Sequence, residues 1–284
     1  MDLTPIVRGA AFFGGSRVAF FGGSFDPPHF GHLAVARAAQ RALGLDTVLF
    51  APVGAQPLKP DGSTACFEDR LAMTQLAIAD QPGFTISMAD APRAQGAPNF
   101  TIETLLALRA DLPPEGTLFC LIGADSFAGL KHWHRAAEIP FAAPLIVAAR
   151  PGQSLADLKA LLPDAPTVEP NSTADEMNLQ SSSLTKRTDS ASSEKLSKEG
   201  KKRQGTTSEA DFQSEKIELV RYTIRNASGA RTPLYLLPGL EIPISASEIR
   251  EKLRLNEPHL DLLPAPVLDY IRAHNLYRDL LPSL

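Results

Sequence analysis

Only two of the 284 residues are cysteine, Cys66 and Cys120, so no disulfide framework holds this chain together, and a reducing compartment fits. Cys120 lies inside an apolar run, where a buried thiol is the ordinary state. Long hydrophobic runs are missing as well. No stretch approaches the roughly 18 apolar residues needed to span a bilayer, and no apolar segment behind basic residues opens the chain. The expectation is a soluble, cytoplasmic protein with no membrane partner. Charge of one sign is also absent: 28 Lys and Arg stand against 32 Asp and Glu, a formal net of −4. That balance gives no reason to propose a nucleic-acid partner. Two phosphate-binding signatures are lacking too, since no lysine followed by Ser or Thr closes a glycine-rich loop and the GxGxxG spacing is missing.

What the chain does have is 44% hydrophobic content, enough for one large core or two modest ones, and one stretch around which the rest can be arranged. Residues 18–33 read VAFFGGSFDPPHFGHL. Val18, Ala19, Phe20 and Phe21 form the short apolar run of a buried parallel strand. The run stops at Gly22 and Gly23, which lack a Cβ, tolerate unusual dihedrals and admit a ligand close to the main chain. Pro27 and Pro28 hold the residues before them extended, so no helix begins before about Pro28. Leu33, Ala36, Gln40 and Leu43 then recur at helical spacing over 31–43, with Gly44 as the stop. His29 and His32 thus straddle a helix N-terminus, where free N–H groups and the helix dipole favour an anion and two imidazoles add donors. The expected guest is a phosphate chain. A metal-site reading lacks a third Cys, His or carboxylate ligand at useful spacing.

Further along, 47–52 reads as a strand, followed to Gly62 by a Pro- and Gly-punctuated loop that holds Lys59. Helices are expected from Phe67 through Ile78 and over 102–109, and strands over 84–88, 117–122 and 144–149. Alternating strands and helices with short connections indicate an α/β fold, a parallel sheet wound by right-handed crossovers that binds ligands beyond the carboxyl ends of its strands. Residues 22–32, the Lys59 loop and 123–126 all fall at that rim. Residues 166–215 are rich in Ser, Thr, Lys and Glu and cannot support a core; they read as a disordered insertion. Order returns with 217–224 and 234–237, which pair as a hairpin across the NASG turn. Ser245 and Glu248 have capping-box spacing at the head of the next helix, which leaves Ser247 and Arg250 unexplained. A last amphipathic helix spans 264–277. The repeated FFGGS string at 12–16 leads into no histidines. The chain is therefore divided into an N-terminal extension (1–17), an α/β core (18–165), the insertion (166–215) and a C-terminal part of the same domain (216–284).

The contiguous string GGSFDPPHFGHL resembles the signature of the nucleotidyltransferase superfamily that carries an HxGH motif, supplied here by His29, Gly31 and His32. ISASEIR (244–250) resembles that superfamily's ISSTxxR motif, with Ser247 in place of threonine and Arg250 retained. Within the superfamily, NFTIETL (99–105), GADSFAGLKHW (123–133) and RPG (150–152) resemble the bacterial nicotinate-nucleotide adenylyltransferase family. Glu103 stands where that family usually has Asp, and His134 follows Trp133 where an aromatic residue is common.

The resemblance implies a Rossmann-like doubly wound parallel sheet with a small C-terminal helical part. It implies adenylyl transfer from ATP to nicotinate mononucleotide, giving deamido-NAD and pyrophosphate in NAD biosynthesis. By position, Gly22, Gly23, Ser24 and Phe25 would line the nucleotide, and His32 would meet the α-phosphate. His29 and Lys59 would meet the phosphate chain, Ser247 and Arg250 the β- and γ-phosphates. His29, His32, Lys59 and Arg250 form the expected catalytic set. Thr101, Asp125 and Trp133 would bind the pyridine nucleotide. Each acceptor residue also has a plain structural reading: Thr101 as a helix cap, Asp125 as a turn cap, Trp133 as core. Mg²⁺ would be held mainly by ATP phosphate oxygens, and neighbouring phosphates would favour protonated imidazoles. Two other readings share the phosphate features: a related adenylyl- or cytidylyltransferase with another phosphorylated acceptor, and a nucleotide-binding module without turnover. Oligomeric state is not legible.

Overall fold

The computed structural model describes residues 6–7, 16–58, 62–148, 167–170, 219–237, 244–257 and 261–278. Strand β2 (Arg17–Gly23) shows why the sheet is covered on both sides. Its apolar residues point alternately to two faces, Ala19 and Phe21 into one hydrophobic cluster and Val18 and Phe20 into another. β3 (Thr47–Pro52) and β5 (Thr117–Gly123) do the same: Val48, Phe50, Phe119 and Leu121 face one way, Leu49, Ala51, Leu118, Cys120 and Ile122 the other. A strand apolar on both faces needs a helical layer on each. Leu33 and Ala36 of α1 (Phe30–Leu43), Met73 and Ile78 of α2 (Phe67–Ile78), and Val267 and Ile271 of α7 (Ala265–Ala273) cover the first face. Ile102, Leu105 and Leu108 of α3 (Thr101–Asp111) and Ile139 of α5 (Ile139–Ala142) cover the second. Burial pushes the Cys120 thiol up to about 12, so it stays an inert neutral core group.

The described residues form one nine-stranded sheet. With β1 (Ile6–Val7), β4 (Phe84–Ser87), β6 (Leu145–Ala148), β7 (Thr167–Pro170), β8 (Val220–Arg225) and β9 (Arg231–Leu237), its order is β1-β4-β3-β2-β5-β6-β9-β8-β7. β1, β2, β3, β4, β5, β6 and β9 run parallel, while β8 and β7 add antiparallel to the edge. The chain winds outward from β2 through β3 to β4, then returns to place β5 on the other side of β2. The order therefore reverses between β2 and β5, and the crevice beyond their carboxyl ends is the natural ligand site of such a sheet. This is the expected doubly wound α/β fold. Short helix α4 (Ala124–Ala128) follows β5 at that rim, and α6 (Ala246–Arg254) follows the hairpin.

Three boundaries differ from the sequence reading. Residues 167–170 belong to the sheet rather than to the insertion: Val168 pairs with Ile224 and Pro170 with Tyr222. An edge strand needs only main-chain pairing, which composition does not reveal; residues 171–215 lie outside the described residues. The N-terminal extension is likewise partly built in, since Ile6 pairs with Ile86 and Arg17 opens β2. The last helix is shorter than 264–277. It ends at Ala273, and Asn275 and Tyr277 turn through positive φ of 53° and 62°. Among the described residues no helix is long and apolar enough to cross a membrane.

Candidate active site

The loop from Gly22 to His29 is built differently from what two adjacent glycines suggest. Both glycines are strand residues, paired with Ala51 and Pro52, and neither has positive φ. Their use is the absence of a side chain. A Cβ on Gly22 would lie 2.7 Å from the Phe20 ring, and one on Gly23 would lie 3.2 Å from the Phe25 ring. The unusual backbone falls on Phe25 instead, at φ 47°. A non-glycine residue held there costs of order 1 kcal/mol or more. Burial of the Phe25 ring against Phe21, Phe50 and His32, at centroid distances of 5.6, 5.5 and 5.0 Å, offsets it.

α1 begins as the prolines require, with His29 as its N-cap and His32 at the third helical position. The His29 main-chain N–H donates to His32 Nδ1 at 3.2 Å. In a neutral ring that acceptor leaves the proton on Nε2, so His32 offers an N–H donor from its outer edge. The two rings lie 3.8 Å apart and 30° from parallel. His29 is only 6% exposed, and its Nδ1 is buried with no hydrogen-bond partner. Burial lowers the His29 pKa to about 4. Burial, and then the neighbouring His29, hold His32 well below the ordinary imidazole value. Both rings are therefore neutral near pH 7.

Asp26 ties this loop to distant parts of the chain. Its carboxylate accepts from the Thr64 and Ala65 N–H groups at 2.6 and 3.1 Å and from the Tyr277 hydroxyl at 2.8 Å. Burial, then Asp26, push the Tyr277 hydroxyl far above its usual range, so it remains a donor. Arg250 of α6, 224 positions away in sequence, donates through Nη1 to the Asp26 carbonyl at 2.7 Å, 3.9 Å from the Asp26 carboxylate. Its Nη2 donates to Ser247 Oγ at 3.1 Å. The Phe30 N–H donates to the Leu262 carbonyl at 3.1 Å, a second link from the start of α1 to the C-terminal part. Ser245 is the N-cap of α6 without a side-chain cap bond, and Glu248 pairs with Lys252 at 2.9 Å, so the expected capping box does not form. Ser245, Ser247 and Arg250 face the cavity instead.

These groups line one cavity of about 1770 Å³ at the switch point. Gly22, Gly23, Ser24, Phe25, His29, His32, Ser247 and Arg250 form one part of its wall, and Thr101, Asp125 and Trp133 another. Lys59 lies outside the described residues, as do Arg150 and Gly152 of the RPG string. Thr101 is the first residue of α3, whose N-cap is Phe100, so it does not occupy the capping position. Asp125 sits in the first turn of α4. Trp133 is half-buried and packs against the second core cluster while facing the cavity. Beside it the His134 ring lies 4.3 Å from Phe100. Glu103, the residue that replaces Asp, is drawn to Arg93 at 2.6 Å, and that hydrogen bond lowers its pKa.

Sequence reasoning missed several residues here. Asp90, which lines the cavity, is buried; burial raises its carboxyl pKa and the Thr104 hydroxyl hydrogen-bonds to it. Gly54 lets the loop after β3 cross Pro92, whose backbone would lie 2.5 Å from any Cβ there. Asn99 closes the same crossing, accepting from the Ala55 N–H and donating to the Ala91 carbonyl, both at 3.0 Å. Asp26 was also passed over. The aspartate lay inside the motif string, but nothing in the string announced partners as distant as Tyr277.

Residues 20–252 match the model of the cytidylyltransferase-like family. A probable nicotinate-nucleotide adenylyltransferase of Dehalococcoides mccartyi is 30% identical over 261 residues, 92% of this chain and 97% of that protein. One from Herpetosiphon aurantiacus is 41% identical over 150 residues, 53% of this chain and 73% of the relative. Among solved structures, Plasmodium falciparum nicotinic acid mononucleotide adenylyltransferase complexed with NaAD superimposes with a TM-score of 0.56. That alignment is 14% identical and covers 93% of this chain and 98% of the other, a likeness of fold.

Proposed function

The chain belongs to the cytidylyltransferase-like family and, within it, to the nicotinate-nucleotide adenylyltransferases, and from that premise we propose how its cavity performs the family's reaction. The protein is a nucleotidyltransferase that transfers the adenylyl group of ATP to nicotinate mononucleotide, giving deamido-NAD and pyrophosphate. One observation carries the assignment of the site: Arg250 and the histidine loop, far apart in sequence, are hydrogen-bonded side by side on one cavity wall.

The nucleophile is a phosphate oxygen of the acceptor. With a second pKa of about 6 it is already largely deprotonated near neutral pH, so no general base is needed. The protein's task is to hold two polyanions in line and to meet the charge that grows on the α-phosphate and the departing pyrophosphate. His32 Nε2–H donates to the α-phosphate, and His29 and Lys59 hold the phosphate chain. Ser247 and Arg250 take the β- and γ-phosphates, the guanidinium already braced by Asp26. Gly22, Gly23, Ser24 and Phe25 present a close, side-chain-poor wall to the nucleotide. Thr101, Asp125 and Trp133 hold the pyridine nucleotide, with the indole as the stacking surface for its ring.

The Asp26 carboxylate already accepts three hydrogen bonds, which suits a Mg²⁺ carried on the ATP phosphates and their water rather than one held by the protein. Such an ion would supply positive charge to the departing pyrophosphate, beside the donors of Ser247 and Arg250. A cytoplasmic location suits two free cysteines, Cys66 and Cys120.

The test is an acceptor panel with ATP and Mg²⁺. Pyrophosphate should appear with nicotinate mononucleotide and far more slowly with other phosphorylated acceptors such as phosphopantetheine or glycerol phosphate. Faster release with one of those would reassign the acceptor, and release with none would leave a binding module.

A further inference from the structure

α2 carries a charged residue where its pattern calls for an apolar one. Arg70 shares a helix face with Met73, Thr74 and Ala77, all buried, and is itself only 2% exposed. Its guanidinium donates to three main-chain carbonyls: Nη1 to Ser24 at 2.7 Å, Nη2 to Val53 at 2.8 Å and Nε to Ala65 at 3.2 Å. These carbonyls belong to the loop after β2 and to the two ends of the connection from β3 to α2. All three stretches contribute to the cavity wall, the first through Ser24 and Phe25, the second through Val53 and Gln56, the third through Thr64. The loops also bond to one another, Val53 N–H to the Gly23 carbonyl at 2.9 Å and Ala65 N–H to Asp26. Arg70 itself does not line the cavity.

Burying a guanidinium is expensive, and an apolar side chain of similar volume would pack α2 at least as well. What the apolar residue cannot supply is a rigid planar fork that spaces three carbonyls at once; a lysine ammonium, one point on a flexible stem, cannot either. We infer that Arg70 is a positioning residue of the triphosphate site, fixing the spacing between the loop after β2 and both ends of the β3–α2 connection, which present Ser24, Gln56 and Thr64 to the nucleotide.

This inference rests on the reading that ATP occupies the cavity, so its test separates the two. Mg²⁺-ATP binding is measured by calorimetry without acceptor, nicotinate mononucleotide binding is measured alone, and turnover is measured with both, for the wild-type chain, Arg70→Lys and Arg70→Met. Displacing a reacting group by about 1 Å costs on the order of 10² in rate. Both variants should therefore fold, lose about that factor in kcat and weaken ATP binding at least tenfold, with nicotinate mononucleotide affinity within about twofold of wild type. Lysine, keeping the charge without the fork, should rescue little. Full rescue by lysine, equal losses for both ligands, unchanged ATP affinity and kcat, or failure of both variants to fold would each overturn the inference. If the wild-type chain binds ATP but does not use nicotinate mononucleotide, the acceptor reading falls and the binding comparison still decides the role of Arg70.

Discussion

The two sides of the cavity are made in opposite ways. On the phosphate side, four stretches of chain meet at Asp26, and nearly every polar group there is committed to another: Arg250 to the Asp26 carbonyl, Tyr277 and the Thr64 and Ala65 amides to its carboxylate, His29 N–H to His32. Among the buried side-chain polar atoms of the described residues, His29 Nδ1 has no partner. On the acceptor side, Thr101, Asp125 and Trp133 stand on the first turns or flanks of short elements. Their neighbours Glu103 and Arg135 are engaged in surface ion pairs with Arg93 and Glu138. Exposed pairs of that kind contribute too little to fix a site. On the proposed reading the difference separates two tasks: the triphosphate would be held by a preorganised frame, and the acceptor would be chosen by a few side chains on the opposite wall.

Experiments that break the first side should therefore act on ATP and its chemistry, and those that break the second on acceptor binding. The largest effect is expected from His32→Ala, which removes a preorganised donor and should lower kcat by about 10² to 10³ with the fold intact. The factor should be the same whichever pyridine nucleotide is offered; steady-state turnover with two acceptors checks it, and an acceptor-dependent factor would erase the division.

Acid pH addresses the same side through stability. The His29 pKa is lowered on folding, from the ordinary 6.5 to about 4. Between those values the unfolded chain takes up a proton that the folded one refuses. The stabilisation present above pH 6.5 is thus lost as pH falls toward 4, on the order of 3 kcal/mol from this group. Unfolding midpoints from pH 7 to 4 should fall less steeply in His29→Asn than in the wild-type chain, and parallel slopes would remove His29 from the account.

On the acceptor side, Trp133→Ala should raise KM for nicotinate mononucleotide roughly 10- to 100-fold, the range of one lost stacking partner, while KM for ATP stays put. Equal changes in both would return the indole to a purely core role. The smallest effect is expected from Tyr277→Phe, which removes one hydrogen bond to a buried carboxylate and should cost about 1.5 kcal/mol of stability by denaturant unfolding. An unchanged midpoint would mean that the C-terminal turn is not held by Asp26.

The same contrast explains what could be read in advance. Strand and helix placement followed from apolar alternation and from Pro27, Pro28 and Gly44, because those residues act locally. The histidine pair was legible because a helix start dictates its own chemistry. Gly22 and Gly23 were read both for dihedral freedom and for close approach to the main chain; the structure uses their missing Cβ for clearance of the Phe20 and Phe25 rings and gives the strained position to Phe25, since a ring buried among three others outweighs a local preference. Arg70 escaped notice because its partners are main-chain carbonyls, which leave no mark on the side-chain pattern, and Asp26 because its partners, two amides and the Tyr277 hydroxyl, lie far away in sequence. Residues 167–170 escaped for the related reason that edge pairing is a main-chain matter.

The central claim is that this cavity breaks ATP between its α- and β-phosphates and hands the α-phosphorus to nicotinate mononucleotide. The direct measurement supplies ATP labelled at the α-phosphorus together with Mg²⁺ and nicotinate mononucleotide, and follows the label. The account predicts that it enters the dinucleotide product while the released pyrophosphate is unlabelled; label recovered in free AMP or ADP, with no dinucleotide formed, would contradict it.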